Sequence, residues 1–252
     1  MECSAPALSA PVFVVPGHRL QAGRVVLDGL EGRHAATVSR LGTGEAVVLV
    51  DGDGRRGTGI VAAVTGKDVV EVDVADVVTD PRSEPWLVVV QALPKGDRGE
   101  TAVETMTELG VDEVVPWQAA RGVVVWRGRE REEKGRRRWE SVCVAATKQS
   151  RRYRVPVIAE PVGTSELAAR LSTAALALVL HETATESLAG VDLPVHGNVV
   201  VVVGPEGGIT DPELAALVAA GGRPVRLGPE ALRSSTAGPA ELAVLASLAR
   251  WR

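Results

Sequence analysis

The chain has 252 residues, 45% of them hydrophobic and 24% charged, with a formal net charge of −4; this is the balance of a folded globular protein, not of a disordered or fibrous one. No apolar run reaches the ~18 residues that a membrane-crossing helix needs, and the first twenty residues lack the basic start and apolar core of an export signal. Cys3 and Cys143 stand far apart with no CxxC pair, which argues against a disulfide framework or a zinc site and makes the reducing cytoplasm the expected location.

Residues 11 to about 79 read as short valine-rich strands: Val12–Val15, Arg24–Leu27, Ala46–Val50, Gly59–Val64 and Val69–Val74. Glycine-bearing turns punctuate them, and Asp51-Gly52-Asp53-Gly54 is a hairpin signal. One short helix is expected around Glu31–Ser39. The pattern is that of a small β-barrel over residues 1–80, and the proline-bounded stretch Asp80–Pro85 marks the boundary to a second domain, 81–252.

Beyond it, strands alternate with helices. Trp86–Ala92 is a near-continuous apolar run, as expected of a strand buried on both faces. A helix over Arg98–Leu109 ends at Gly110, and Glu113–Trp117 is the next strand. Glu130–Ser150 is a long helix, basic in its first half, and Thr164–Leu171 is another. Strands at Ala174–His181, Asn198–Val203 and Pro224–Leu227 then interleave with helices at Asp211–Ala220 and Thr236–Trp251. This is an α/β domain with a largely parallel sheet, in which ligands sit in the loops after the strands.

Charge is unevenly spread. From Arg121 to Arg154 twelve basic residues face four acidic ones, a local excess of +8 that leaves −12 for the rest. Such a stretch suits a polyanion; a solvated helix with Arg–Glu pairs four residues apart is the equal alternative.

Three strand ends carry unusual loops: Leu180-His181-Glu182, Gly204-Pro205-Glu206-Gly207-Gly208-Ile209-Thr210, and Leu227-Gly228-Pro229-Glu230-Ala231-Leu232-Arg233-Ser234-Ser235-Thr236-Ala237. Glycines let a ligand approach the backbone, Thr210-Asp211-Pro212-Glu213 is a capping box with proline in the first turn, and the hydroxyls can cap a helix or bind a ligand. No GxxxxGK[ST], GxGxxG or GxSxG occurs and metal-ligand types are not clustered, so phosphate cradling, dinucleotide binding, hydrolysis by a nucleophilic serine and metal chemistry are disfavoured. Backbone groups, hydroxyls, one arginine and one glutamate suit a preactivated cofactor.

At these loops the sequence resembles the RsmE family, the 16S ribosomal RNA uracil-N3 methyltransferases of the knotted SPOUT superfamily. Further matching stretches are Leu93-Pro94-Lys95-Gly96-Asp97-Arg98, Ala146-Thr147-Lys148-Gln149-Ser150-Arg151-Arg152 and the short His34…Val38-Ser39-Arg40 segment. Where many members have glutamate, Ser235 stands here, so no mechanism can rest on a carboxylate at that position.

The resemblance implies a PUA-like β-barrel followed by an α/β domain with a deep trefoil knot, in a homodimer. It implies S-adenosylmethionine bound by Leu180, His181, Glu182, Gly204, Pro205, Glu206, Gly207, Gly208, Leu227, Gly228, Leu232, Ser234, Ser235, Thr236 and Ala237. Arg233 is the expected catalytic cation, unless it is tied to a carboxylate such as Glu206; His181, Glu206 or water is the proton acceptor. Ribosomal RNA of the small subunit is the expected partner, held by His34, Arg40, Lys95, Arg98, Arg136, Arg137, Lys148, Gln149, Arg151 and Arg152. With Tyr153, Phe13 and five tryptophans as the only aromatics, no stacking platform is evident. The competing readings are the same fold acting on another RNA, a non-catalytic RNA-binding or ribosome-assembly factor, and a metabolic enzyme using a nucleotide.

Overall fold

The computed structural model describes residues 10–251, and Cys3 lies outside the described residues. The chain divides into two compact units, Met1–Arg82 with Thr147–Val155, and Ser83–Ala146 with Pro156–Arg252.

The first unit is a five-stranded sheet of β1 (Val12–Val14), β2 (Gly23–Leu27), β3 (Ala46–Val50), β4 (Arg55–Thr65) and β5 (Val69–Thr79), in the order β1-β3-β4-β5-β2. Asp51 builds the expected hairpin turn, its carboxylate accepting the backbone N–H groups of Asp53 and Arg55 at 2.8 and 3.0 Å. Two register shifts, at Thr58/Gly59 and Val61/Ala63, bend β4 against β5. The bend wraps the sheet round Phe13, Leu27, Leu49, Val61 and Val72, all buried. β1 pairs with β3 in parallel, a pairing that no hairpin signal announces. The expected helix over Glu31–Ser39 begins earlier as α1 (Gly29–Arg33) and widens into a π-type turn over His34–Val38. Within this unit the Thr147–Val155 segment is tied by charge: Lys148 bonds Glu31 at 2.7 Å, and Arg154 donates to the Asp80 carbonyl at 2.8 Å.

The second unit holds β6 (Trp86–Ala92), α2 (Arg98–Glu108), β7 (Glu113–Trp117), α3 (Arg129–Gln149, its end assigned to the first unit), β8 (Val157–Ile158), α4 (Thr164–Leu171), β9 (Leu176–Leu180), β10 (Asn198–Val203), α5 (Asp211–Ala219), β11 (Arg223–Val225) and α6 (Ser234–Ala249). The six strands are all parallel, in the order β11-β9-β10-β6-β7-β8. The period-2 pleat explains the continuous apolar runs of β6 and β10. Val88, Val90, Val200 and Val202 pack with Leu167 of α4 and Leu217 of α5. The alternate residues Gln91 and Val203 lie against Gly238 of α6, next to Met106 of α2. Each such buried valine or leucine contributes ~1.5–3 kcal/mol, so the central strands are held from both sides. Arg250, closing α6, donates to the Gly110 carbonyl at 2.9 Å and pairs with the buried carboxylate of Asp112, which also accepts the Leu87 N–H at 2.9 Å. No helix among the described residues is long and apolar enough to cross a membrane.

Candidate cofactor site

The three glycine-bearing loops leave neighbouring strands of the parallel sheet: one follows β9, one β10 and one β11. Because parallel neighbours end on the same side, their loops meet there. They line one cleft of about 660 Å³, with Leu180, His181 and Glu182 from the first loop, Gly204 to Ile209 from the second, and Leu227, Gly228 and the Glu230–Ser234 run from the third.

The second loop is shaped by two glycines. Gly208 has φ +75°, a left-handed conformation that disfavours side chains. At Gly204 a Cβ would lie 2.8 Å from Ile209 Cγ1, so the loop closes only without one. The capping box then fixes the start of α5. Thr210 Oγ1 donates to Glu213 Oε2 at 2.7 Å, and the Thr210 N–H donates to the same oxygen at 3.0 Å. Glu213 Oε1 also accepts the Ala120 N–H at 2.8 Å and the Thr164 hydroxyl at 3.1 Å. Burial pushes this carboxyl up, but the donors outweigh it and hold it below the usual carboxylate value. Through Ala120 the capping box also brings Arg121 to the glycine loop, where its guanidinium donates to the Gly207 carbonyl at 3.2 Å. Arg121 opens the basic stretch, but its place in the cleft depends on a contact between residues far apart in sequence.

Glu206 is held from the other side. Its Oε1 accepts the Lys95 N–H at 3.2 Å and lies 3.6 Å from Arg98. Burial opposes its ionisation; its own N–H, that of Lys95, the nearby Ser234 hydroxyl and Arg98 prevail, so its carboxyl lies below the usual range. Ser234, at the start of α6, lines the cleft, and its buried hydroxyl lies beside the Glu206 carboxylate. Arg98 thus takes the carboxylate that would have tied down Arg233, and Arg233 lines the cleft with no ion pair among the described residues.

At His181 the Nδ1 atom is 2.9 Å from the Thr183 hydroxyl and accepts the Thr183 N–H at 3.4 Å.

Ser235 and Thr236 do not line the cleft. Along the first turn of α6, Ser234 and Ala237 share one face, and the two residues between are rotated off it. Among the residues expected at RNA, Arg40 and Gln149 are exposed, and Arg137 is 67% exposed and 3.9 Å from Glu133. Arg136 pairs with Glu140 and Glu160. The Lys148 side chain is only 14% exposed, bound to Glu31 with its ammonium 5.7 Å from the centre of the Phe13 ring. Burial and then Lys148 hold the His34 imidazole below its usual value, against the pull of Glu31. Arg151 is exposed and Arg152 half-buried. No group of three or more His, Cys, Asp or Glu among the described residues is placed to hold a metal.

Comparison with known proteins agrees with this layout. Residues 82–246 match the model of an RNA methyltransferase domain, and residues 27–74 that of an RNA methyltransferase PUA domain. A ribosomal RNA small subunit methyltransferase E from Mycobacterium bovis is 44% identical over 231 residues, covering 90% of this chain and 87% of the relative. A protein of the same name from Neisseria gonorrhoeae, solved bound to S-adenosylmethionine, superposes with a TM-score of 0.82 at 28% identity, over 95% of this chain and 98% of its own. A Legionella pneumophila protein solved with the same cofactor gives 0.84 at 29% identity, over 96% and 99%.

Proposed function

The chain belongs to the ribosomal RNA small subunit methyltransferase E family, and on that premise we propose that it transfers the methyl group of S-adenosylmethionine to N3 of a uridine in small-subunit ribosomal RNA. One observation carries the reading: loops from three adjacent parallel strands line a single open cleft that has an unpaired arginine in its wall. The residues present fit that cofactor. Glycine backbone and the carboxylate of Glu182 offer hydrogen bonds, while Leu180, Leu227 and Leu232 offer apolar surface.

When bound, S-adenosylmethionine supplies an electrophilic methyl on a sulfonium. The chain's own residues address the other reactant. Uridine N3 is a weakly acidic imide, and as its proton leaves, charge spreads to the flanking carbonyl oxygens. The Arg233 guanidinium, fixed in charge and free of a carboxylate, stabilises that charge, and removal of such a preorganised donor typically costs ~10²–10³ in rate. Glu206 has its carboxylate occupied by the Lys95 N–H and Arg98, and Nδ1 of His181 is already an acceptor. The proton passes to solvent, directly or by way of one of these two groups. The remaining acceleration comes from holding the uracil ring in line with the methyl donor.

The same reading includes a homodimer, a cytoplasmic location and a trefoil knot in the second unit. The test is mass spectrometry of ribosomal RNA from a strain lacking the protein. Loss of one N3-methyluridine from the small-subunit RNA, restored by the purified protein and S-adenosylmethionine, is expected. An unchanged modification pattern, or the loss of a methyl from a different RNA, would overturn it.

A further inference from the structure

The geometry points to a second ligand pocket beside the cofactor cleft, one that accepts a single unpaired nucleobase of the RNA strand by stacking on Trp126. The inference rests on the RNA-methyltransferase reading and adds where a neighbouring nucleotide is held.

The pocket, about 290 Å³, has an apolar floor of Leu93, Pro94, Trp126 and Trp139. Its construction begins with a residue that is out of place. Gly135 interrupts the 21-residue helix α3, where glycine costs ~1 kcal/mol relative to alanine. A Cβ at that position would lie 2.5–2.7 Å from three adjoining atoms of the Trp126 indole. One face of the ring therefore rests on the bare helix backbone. Trp139, one turn further along, meets Trp126 edge to face, with centroids 5.2 Å apart at 70°. Gly99 of α2 admits Trp139 in the same manner, since a Cβ there would lie 3.0 Å from the ring.

If Trp126 served only to clip the preceding loop to the helix, the space beside it would be filled. Instead the ring stays half-exposed and lines an open pocket. The rim is cationic. Arg131 and Lys134 are exposed and have no ion pair among the described residues, whereas Arg138 on the same rim is bound to Glu100 at 2.6 Å. An aromatic floor with unspent positive charge at its edge fits a base attached to a phosphate chain. The volume lies at the lower limit of small-molecule sites, enough for a ring and not for an extended ligand.

Continuity with the cleft supports the same occupant. The turn that gives Leu93, Pro94, Gly96 and Gly99 to this pocket also hooks its Lys95 N–H on Glu206 and directs Arg98 into the cleft. One turn separates the two spaces, so a strand with its target base in the cleft presents a neighbouring base to Trp126.

The test uses the full chain and a single-stranded oligouridylate of about 12 nucleotides, within the usual footprint of such sites, followed by indole fluorescence at low salt. Wild type should be quenched on binding. Trp126→Leu should lose that quenching and bind about 5- to 150-fold more weakly, the range expected for one stacked base. Gly135→Ala, which displaces the ring, should show the same loss. Exposed-site variants Arg131→Ala and Lys134→Ala, which leave the fold alone, should each lower the salt slope of binding by about 0.7. The proposal is overturned if wild type shows no quenching, if quenching and affinity survive in Trp126→Leu, if the rim variants leave the slope unchanged, or if a duplex RNA of equal length quenches equally well. Calorimetry with S-adenosylmethionine separates the two readings. Cofactor binding retained by Trp126→Leu, with oligonucleotide binding unaltered, defeats the base pocket alone; absent cofactor binding by wild type defeats the methyltransferase reading itself.

Discussion

Arg233 is available because Glu206 is not. With Arg98 and the Lys95 N–H on that carboxylate, the arginine faces the cleft uncompensated. Arg233→Ala should lower single-turnover methyl transfer by about 10²–10³ and leave S-adenosylmethionine affinity within a few-fold by calorimetry; an equal fall in both would assign Arg233 to cofactor binding. A second residue bears on stability. Glu241 of α6 is fully buried, neither carboxylate oxygen has a hydrogen-bond partner among the described residues, and burial holds its carboxyl well above the usual value. The folded state thus keeps a proton that the unfolded chain releases, so stability is greatest below the ordinary carboxylate value and falls as pH rises from there towards the raised one. Glu241→Met should raise the melting temperature more at pH 8 than at pH 5, with a gain of roughly 2–4 °C per kcal/mol for a chain of this size. Melting curves that shift equally at both pH values would contradict this account.

At the scale of elements, Glu213 ties α5, α4 and the loop after β7 to one carboxylate through four donors. Glu213→Ala leaves those donors unsatisfied and should cost about 2–4 kcal/mol in urea denaturation. Loosening of the Arg121 loop should also weaken cofactor binding. Since the Glu213 carboxyl is held below its usual value, its contribution is present at neutral pH and lost as pH falls through that lowered value. The capping box, the glycine turns and the strands β6, β7 and β10 were legible in the sequence because each is written in local spacing. The two-residue β8 carries too little pattern to read, and the β1–β3 pairing joins strands with β2 between them in the chain. In the cleft, the glycine loops were readable. The inward turn of Ser234 and Ala237 past Ser235 and Thr236 depends on how α6 is rotated, and the seat of Trp126 on Gly135 depends on how a loop folds back on its helix. Neither leaves a periodic trace.

For the whole molecule, the proposed homodimer should sediment at twice 26.3 kDa, and a species that stays at the monomer mass on dilution and concentration alike would remove it. The basic stretch that dominates the sequence is partly neutralised in the fold. Arg136 and Arg138 are committed to Glu140, Glu160 and Glu100, so a count of arginines overstates the positive field that an RNA would meet. The sheet order has a further consequence in time. β6 is central, yet its partner on one side, β10, is made only after α2, β7, α3, β8, α4 and β9. A nascent or refolding chain must therefore keep one flank of a valine-rich strand unmatched while these intervening elements emerge. Pairing across such a sequence separation is slow to nucleate, and the waiting flank is where self-association competes with correct folding.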